Sequence, residues 1–194
     1  MNYGHPLFCM RPLGRIAREE AYRRVGKGMP LKLRVIDIGC GTGWVSRELA
    51  KMFPGYEVIG IDFSEKMIER AKRLTSKDKH DYRDLLFEVA DVEGLPYPSD
   101  YFDYGICSAM FSFLPDPDKA LREIARILKP GGRLYVVDVC KDYSPSYFGA
   151  KLFSPCNLYS REEYKEFFER YFVDIHQEKW TLFGGLSTVG SKGY

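Results

Sequence analysis

The sequence has no strong excess of charge and no long apolar run. Its 29 lysines and arginines stand against 27 aspartates and glutamates, which gives a formal net charge of +2. This balance argues against a surface that coats nucleic acid. No stretch of about 18 apolar residues is present, and residues 1–10 are polar and interrupted by proline, unlike a signal peptide. These absences predict a cytoplasmic chain without a membrane span.

Cysteine and histidine are scarce and form no metal or redox motif. The five cysteines include no CxxC pair and the three histidines are scattered, so we expect reduced thiols and no metal. Cys40, Cys107 and Cys140 nevertheless lie at the ends of three predicted strands, which would gather them along one edge of a parallel sheet. We interpret them as small buried hydrophobic side chains. A thiol site for a soft metal or metalloid is the alternative.

The remaining composition is that of an ordinary globular protein, with 45% hydrophobic and 29% charged residues over 194 positions. Short apolar runs alternate with amphipathic stretches, the pattern of βαβ units and a mostly parallel sheet. We expect one domain over 1–194, with 1–30 as an N-terminal helical cap segment. The predicted strands are 33–38, 57–61, 85–90, 104–108, 133–139, 172–180 and 182–191. The predicted helices are 16–25, 44–52, 64–74, 116–128 and 160–171.

A glycine-rich turn joins the first predicted strand to the helix that follows it. It reads Asp-Ile-Gly-Cys-Gly-Thr-Gly-Trp over residues 37–44. Glycines in such a turn let a ligand approach the main chain, because a β-carbon would occupy that space. Asp62 ends the second strand, about 20 residues later, where Rossmann dehydrogenases carry an acid for ribose hydroxyls. Together they indicate an adenosine-type cofactor, either a nucleotide or a sulfonium.

Three residues favour the sulfonium. Trp44 stands where the dinucleotide fingerprint has its third glycine, which argues against a pyrophosphate at the helix start. Asp37 would repel a diphosphate but attract a cationic amino-acid tail. Asp91, directly after the third strand, adds another acid. Acids at successive strand ends can accept hydrogen bonds from an ammonium, from ribose hydroxyls and from an adenine amino group, which matches S-adenosylmethionine.

The motifs in this order resemble the class I S-adenosylmethionine-dependent methyltransferases, in particular the group that includes menaquinone and ubiquinone C-methyltransferases. The resemblance covers about Leu33 to Asp138. Besides the glycine turn, it rests on residues 60–64, 90–96, 101–105 and 121–132. It implies a Rossmann-like α/β fold, a seven-stranded and mostly parallel sheet with helices on both faces. The implied strand order is 3-2-1-4-5-7-6, with the last strand antiparallel.

The resemblance also implies a cofactor site. Gly39, Cys40 and Gly41 would pass under the methionine portion of S-adenosylmethionine. Asp37 would support the turn more than it touches the ligand. The product would be S-adenosylhomocysteine.

The resemblance implies that five further residues contact the nucleoside or lie near the sulfonium. Asp62 would hold both ribose hydroxyls, and Phe63 would pack against adenine. Asp91 would accept from the adenine amino group, and Val92 would offer a main-chain contact. Ser108 would lie near the sulfonium.

No residue stands out as catalytic. Methyl transfer is an in-line displacement on an activated carbon, so alignment and exclusion of water can suffice. Side chains near the site that could act as a base are Asp138, Asp142, His5, Tyr143 and Tyr147. The catalytic assignment therefore stays open.

Aromatic and apolar residues near the expected acceptor side predict a small planar or hydrophobic acceptor. They are Met110, Phe111, Phe113, Tyr143, Tyr147, Phe148 and Phe153. The alternative is that they only close the core. The turn after strand four lacks the Asn/Asp-Pro-Pro-Tyr/Phe sequence of amino-methylating enzymes, which argues against nucleic-acid base amines as acceptors.

Two other functions compete with a methyltransferase. One is a cofactor-binding, non-catalytic partner subunit of another methyltransferase. The other is a nicotinamide-dependent oxidoreductase, which Trp44 and Asp37 disfavour. The sequence indicates no oligomeric state.

Overall fold

A computed structural model describes residues 32–114, 116–143, 157–180 and 185–194. The strands are β1 (Arg34–Ile38), β2 (Glu57–Asp62), β3 (Leu85–Val89), β4 (Phe102–Ser108), β5 (Leu128–Val139), β6 (Val173–Trp180) and β7 (Gly185–Ser191). The helices are α1 (Trp44–Met52), α2 (Glu65–Ser76), α3 (Pro117–Ile127) and α4 (Arg161–Glu169), and a 3-10 turn spans Phe111–Phe113. The predicted cap segment and its helix lie outside the described residues.

The seven strands form one sheet in the order β3-β2-β1-β4-β5-β7-β6. β2 pairs in parallel with both β1 and β3, and β4 pairs in parallel with β5. β7 runs antiparallel to β5 and to β6. The predicted α/β class, strand order and antiparallel last strand are confirmed.

The chain divides into two compact units, with the boundary between Val89 and Ala90. The prediction of a single domain stays a prediction. No helix in the described parts of the chain is long and apolar enough to span a membrane.

In the first unit, β1 and β2 are buried almost throughout, which suits their β-branched residues. α1 buries Ser46, Arg47 and Leu49, whereas Met52 is 41% exposed. The helical spacing of Val45, Leu49 and Met52 in the sequence predicts that these three residues form the apolar face, and the exposure of Met52 shows that this prediction is partly wrong. Ser46 fits against the sheet because Gly60 has no side chain. A β-carbon on Gly60 would lie only 2.7 Å from the Ser46 hydroxyl.

In α2 the helical spacing of Met67, Ile68, Ala71 and Leu74 predicts one apolar face. Ile68 and Ala71 are buried, but Met67 and Leu74 are exposed, so the buried face is narrower than the spacing predicts. Ser64 occupies the N-cap position, yet its side chain makes no capping hydrogen bond. Its main-chain N–H donates instead to Oδ1 of Asp62, at 2.9 Å.

In the second unit, side-chain caps begin both helices. The Asp116 carboxylate accepts hydrogen bonds from the Asp118 and Lys119 N–H groups in the first turn of α3. Pro117 is the first residue of that helix. Ser160 followed by Glu163 three residues later is the sequence pattern of a capping box, and these two residues form one at the start of α4. That helix ends at Glu169, two residues before the predicted end.

β5 begins at Leu128, five residues before the predicted start at Arg133, although Pro130 and the two glycines after it favour a turn in local sequence. Gly131 takes a φ of 72°, and its N–H donates to the Lys192 carbonyl at 2.9 Å. The Lys192 N–H returns a bond to the Gly132 carbonyl at 2.8 Å. These bonds to the C-terminal segment keep the chain extended where local sequence favours a turn.

Candidate functional site

The turn between β1 and α1 has a backbone that depends on glycine. Gly39, Gly41 and Gly43 take φ values of 70°, 53° and 72°, in the left-handed region. The Cys40 N–H donates to the Ile61 carbonyl at 2.8 Å. The turn is therefore fastened to the end of β2, and its shape is fixed without a ligand.

Two of these glycines serve different purposes. A β-carbon on Gly43 would lie 2.4 Å from the Phe87 ring and 3.0 Å from the Ala71 methyl, so Gly43 permits close packing of the unit. A β-carbon on Gly41 would meet no atom within 4 Å. Gly41 thus borders open space, as expected of a turn that a ligand approaches.

Asp62 joins the glycine turn to the start of α2. Its Oδ2 accepts from the Gly41 N–H at 2.9 Å, and its Oδ1 accepts from the Ser64 N–H at 2.9 Å. Each carboxylate oxygen has two acceptor lone pairs, so each retains one for a ligand hydroxyl. The ribose role of Asp62 stays a prediction, and the sequence did not indicate these two main-chain bonds.

Asp37 is a buried acid on β1, with 1% of its surface exposed. The Ser46 hydroxyl donates to its Oδ2 at 2.5 Å, which ties the strand to α1. Burial raises the pKa of Asp37 to about 6, against the opposing effect of the Ser46 hydrogen bonds. Asp37 is therefore predominantly ionised at pH 7, in a place where a cation would be favourable.

Cys40 is half-buried, and its thiol lies 3.8 Å from the Gly41 carbonyl oxygen. Burial raises the pKa of this thiol, and the Asp37 and Asp62 carboxylates raise it further. Cys107 and Cys140 are buried. Among the described residues no group of three His, Cys, Asp or Glu side chains is placed to hold a metal ion. The burial of Cys107 and Cys140 is what the packing interpretation predicts.

Phe63 directly follows Asp62 and is 82% exposed. A large aromatic ring on the surface loses the free energy that burial would give it. Its exposure beside Asp62 leaves the ring free to contact a ligand in the first unit.

In the second unit, Asp91 is exposed and its Oδ1 accepts from the Glu93 N–H at 2.9 Å. Val92 is buried beside it, and Ser108 ends β4 half-buried. The Arg126 guanidinium donates to the Leu95 carbonyl at 2.9 Å. The connection from β3 to β4 is thus held by α3 without a helix of its own, as predicted.

Asp138, one of the base candidates, is buried and already engaged. Its carboxylate accepts from the Ser112 N–H at 2.8 Å, the Ser112 hydroxyl at 3.1 Å and the Val139 N–H at 2.7 Å. Burial raises its pKa despite these bonds. Asp138 therefore fixes the 3-10 turn after β4, a role that the sequence did not indicate.

Of the other base candidates, Asp142 and Tyr143 already contact other residues of the chain, and two more lie outside the described residues. Oδ2 of Asp142 accepts from the Arg161 N–H at 2.8 Å, at the start of α4. The Tyr143 ring lies under the Lys179 ammonium, 4.4 Å from its centroid. His5 and Tyr147 lie outside the described residues.

The predicted aromatic acceptor surface is wrong at Phe111. This ring is fully buried and packs at 6.0 Å from Tyr159 and 5.3 Å from Tyr164, so it closes the core. Phe113, two residues on, is 48% exposed. Phe148 and Phe153 lie outside the described residues.

The chain was compared with protein families, and a family model described as a methyltransferase domain matches residues 31–181. Among curated relatives, the 27-O-demethylrifamycin SV methyltransferase of Amycolatopsis mediterranei is 38% identical over 125 residues, covering 63% of this chain and 45% of the relative. The ubiquinone/menaquinone biosynthesis C-methyltransferase UbiE of Rickettsia akari is 33% identical over 140 residues, covering 70% and 54%. The chain therefore spans about half the length of these two relatives.

Solved structures share the fold. Phosphoethanolamine N-methyltransferase 2 of Haemonchus contortus, solved in complex with S-adenosyl-L-methionine, superposes with a TM-score of 0.72 at 21% identity. The match covers 91% of this chain and 53% of that one.

Proposed function

Because this chain belongs to the methyltransferase-domain family, we propose that it transfers the methyl group of S-adenosylmethionine to a small-molecule acceptor by in-line displacement. The observation that carries the proposal is the family match over residues 31–181, which includes the fastened glycine turn. In that turn Gly41 borders open space while its N–H donates to Asp62. The carboxylate of Asp62 beside this open turn fits a ligand that carries several hydrogen-bond donors.

In the first unit we assign the nucleoside and the amino-acid tail to separate residues. Asp62 would accept from the ribose hydroxyls through the lone pairs that its main-chain bonds leave unused. Phe63, exposed beside it, would pack against adenine. Gly39, Cys40 and Gly41 would lie under the methionine portion, and Asp37 would hold the turn through Ser46.

In the second unit we assign three residues by the family resemblance. Asp91 would accept from the adenine amino group, which suits its exposed carboxylate. Val92 would contribute a main-chain contact. Ser108, at the end of β4, would lie near the sulfonium.

Asp37 and Trp44 support a cationic cofactor over a dinucleotide. A diphosphate near the ionised Asp37 would be repelled, because like charges in a partly buried site interact strongly. Trp44 is the first residue of α1, where the dinucleotide fingerprint requires glycine. These features support S-adenosylmethionine and oppose the nicotinamide alternative.

When bound, S-adenosylmethionine supplies a methyl carbon already activated by the sulfonium. The chain's own contribution would be to hold that group in line with the acceptor and to exclude water. Asp138 is bonded to the 3-10 turn by both carboxylate oxygens, so it would position this turn and is not assigned as a base. We assign no catalytic base.

The acceptor that we propose is planar or hydrophobic. Phe113 after β4 and Val139 at the end of β5 are both exposed apolar residues of the second unit. Exposed apolar side chains near strand ends are suited to contacts with an apolar ligand. A non-catalytic partner subunit is not favoured, since the named relatives above are themselves methyltransferases.

Turnover tests this proposal. The chain is incubated with S-adenosylmethionine and a panel of small phenols, hydroquinols and aliphatic alcohols, and S-adenosylhomocysteine is measured by mass spectrometry. We expect product with planar or apolar acceptors, and at least a tenfold lower rate for Asp62→Ala at subsaturating cofactor, because a charge-assisted acceptor is lost.

Asp81→Ala is the matched control, because Asp81 is an exposed aspartate of the same unit that pairs with Arg83. This variant should keep the wild-type rate. Product formation that is equal in the wild type and in Asp62→Ala, or absent with every acceptor, would contradict the proposal.

A further inference from the structure

Arg47 is a buried cation beside the glycine turn. Only 9% of the residue is exposed, although it sits in the second turn of α1. One guanidinium nitrogen donates to the Thr42 carbonyl at 2.8 Å, so the side chain folds back toward the turn. The guanidinium therefore lies against the main chain of the turn at Thr42.

This guanidinium has no anion partner among the described residues. Within those residues its hydrogen bond is to a neutral carbonyl, and no carboxylate oxygen lies within 4 Å. Two more exposed arginines of this chain have such a partner: Arg34 lies 3.2 Å from Glu57, and Arg126 lies 2.8 Å from Glu123. Burying an unpaired charge is costly, so a buried guanidinium of this kind requires an anion.

The start of α1 adds positive potential at the same place. Its N-cap is Gly43, which has no side chain to cap the helix, and its first turn contains no acid. The N-terminus of a helix carries a partial positive charge, which acidic residues usually offset. Arg47 and the helix start therefore both favour a negative group at the turn.

The anion must be compatible with two acids close by. Asp37 is buried and predominantly ionised at pH 7, and Asp62 holds the Gly41 N–H. A diphosphate would face both carboxylates. A small zwitterion, with one ammonium and one carboxylate, matches one buried acid and one buried guanidinium without surplus charge.

We propose that Arg47 binds the carboxylate of the cofactor's amino-acid tail, so that it acts as the anchor that positions the methionine portion. This inference rests on the proposed function, which places that portion against Gly39, Cys40 and Gly41. The guanidinium can offer a pair of parallel N–H donors to a carboxylate while it keeps its bond to Thr42.

The test compares two ligands that differ only in the carboxylate. S-adenosylhomocysteine and its decarboxylated analogue, which keeps the nucleoside, thioether and amine, are titrated calorimetrically into the wild type, Arg47→Met and Arg47→Gln. For S-adenosylhomocysteine, we expect both substitutions to weaken binding roughly 10- to 100-fold, the value of a hydrogen bond to a charged group. For the decarboxylated analogue, all three proteins should agree within about threefold.

Two controls separate binding from folding. Arg73→Met removes an exposed arginine of α2 and should leave both affinities unchanged. Arg47→Gln keeps a donor for the Thr42 carbonyl, so a loss of affinity in this variant reports the missing charge and not a loosened turn.

The inference is overturned if Arg47→Gln binds S-adenosylhomocysteine as the wild type does, or if it loses affinity for both ligands equally. The proposed function fails in a different way, by an absence of S-adenosylhomocysteine binding in the wild type. The two failures are therefore distinguishable.

Discussion

At the scale of single residues, two acids of the candidate site stabilise the structure through hydrogen bonds that they make without a ligand. Asp62 accepts two main-chain N–H groups, and Asp37 accepts the Ser46 hydroxyl while almost fully buried. Desolvation is the larger effect at Asp37, since its pKa is raised to about 6 despite favourable hydrogen bonds. A site that must bind a cation benefits from an acid that is costly to leave unpaired.

Asp37 should make the stability of the protein fall with pH. Burial on folding raises its pKa from the ordinary value of 3.8 to about 6. The unfolded state therefore releases this proton first, and stability is lost as pH rises from about 4 through about 6. The shift corresponds to about 3 kcal/mol as an upper figure.

Urea unfolding of the wild type and Asp37→Asn from pH 4.5 to pH 7.5 measures this effect. Asn cannot ionise, so the free energy of unfolding of the wild type should drop relative to the variant up to about pH 6 and then stay level. Other titrating groups, Asp138 among them, are common to both proteins and cancel in the difference. A pH-independent difference, or one of opposite slope, would show that Asp37 does not titrate in this way.

At the scale of helices and strands, the packing of α1 and α2 depends on glycines, which have no side chain. Phe87 of β3 fills the space that β-carbons on Gly43 and Gly60 would need, at 2.4 Å and 2.8 Å from its ring. The ring is buried and close to both glycines, so it has little room to move. The glycine turn is therefore fixed by packing as well as by hydrogen bonds.

Gly43→Ala should cost about 2 to 4 kcal/mol of stability, since it adds a clash with Phe87 to a strained backbone. Gly55→Ala is the matched control: Gly55 has a φ of 93°, and a β-carbon there would meet nothing within 4 Å. This control should cost about 1 kcal/mol from the backbone alone. Chemical denaturation gives both values, and equal losses in the two variants would contradict the packing argument.

The sequence predicted these elements well where periodicity was local. All seven strands and the four described helices lie where alternating patterns placed them, within a few residues. Errors arose where a distant partner decides the outcome. β5 extends back through Gly131 because Lys192 pairs with it, and no window of local sequence contains both residues.

The residues of the candidate site divide in the same way, between those that local sequence predicts and those that depend on distant partners. Gly41 and Asp62 belong to short motifs with a clear chemical purpose, so sequence reasoning found them. Ser46 and Arg47 were missed, because polar residues on a helix are expected to face solvent and their burial depends on Gly60 and the turn. Asp138 was considered only as a base, since its bonds to Ser112 join residues far apart in the chain.

At the scale of the whole molecule, each of the two units carries its own acid at a strand end. The first unit presents Asp62 with the glycine turn, and the second presents Asp91 after β3. The methyltransferase family match extends across both, from residue 31 to residue 181. Function therefore depends on the complete order of motifs, whereas the glycine turn alone is shared with other adenosine-binding folds.

Calorimetric titration of the purified chain with S-adenosylhomocysteine and with NAD tests the central claim most directly. We expect S-adenosylhomocysteine to bind with a dissociation constant on the order of micromolar, about −8 kcal/mol. NAD should give no measurable heat of binding, because Asp37 would repel its diphosphate and Trp44 stands where the dinucleotide fingerprint requires glycine. Binding of NAD without binding of S-adenosylhomocysteine would contradict the account.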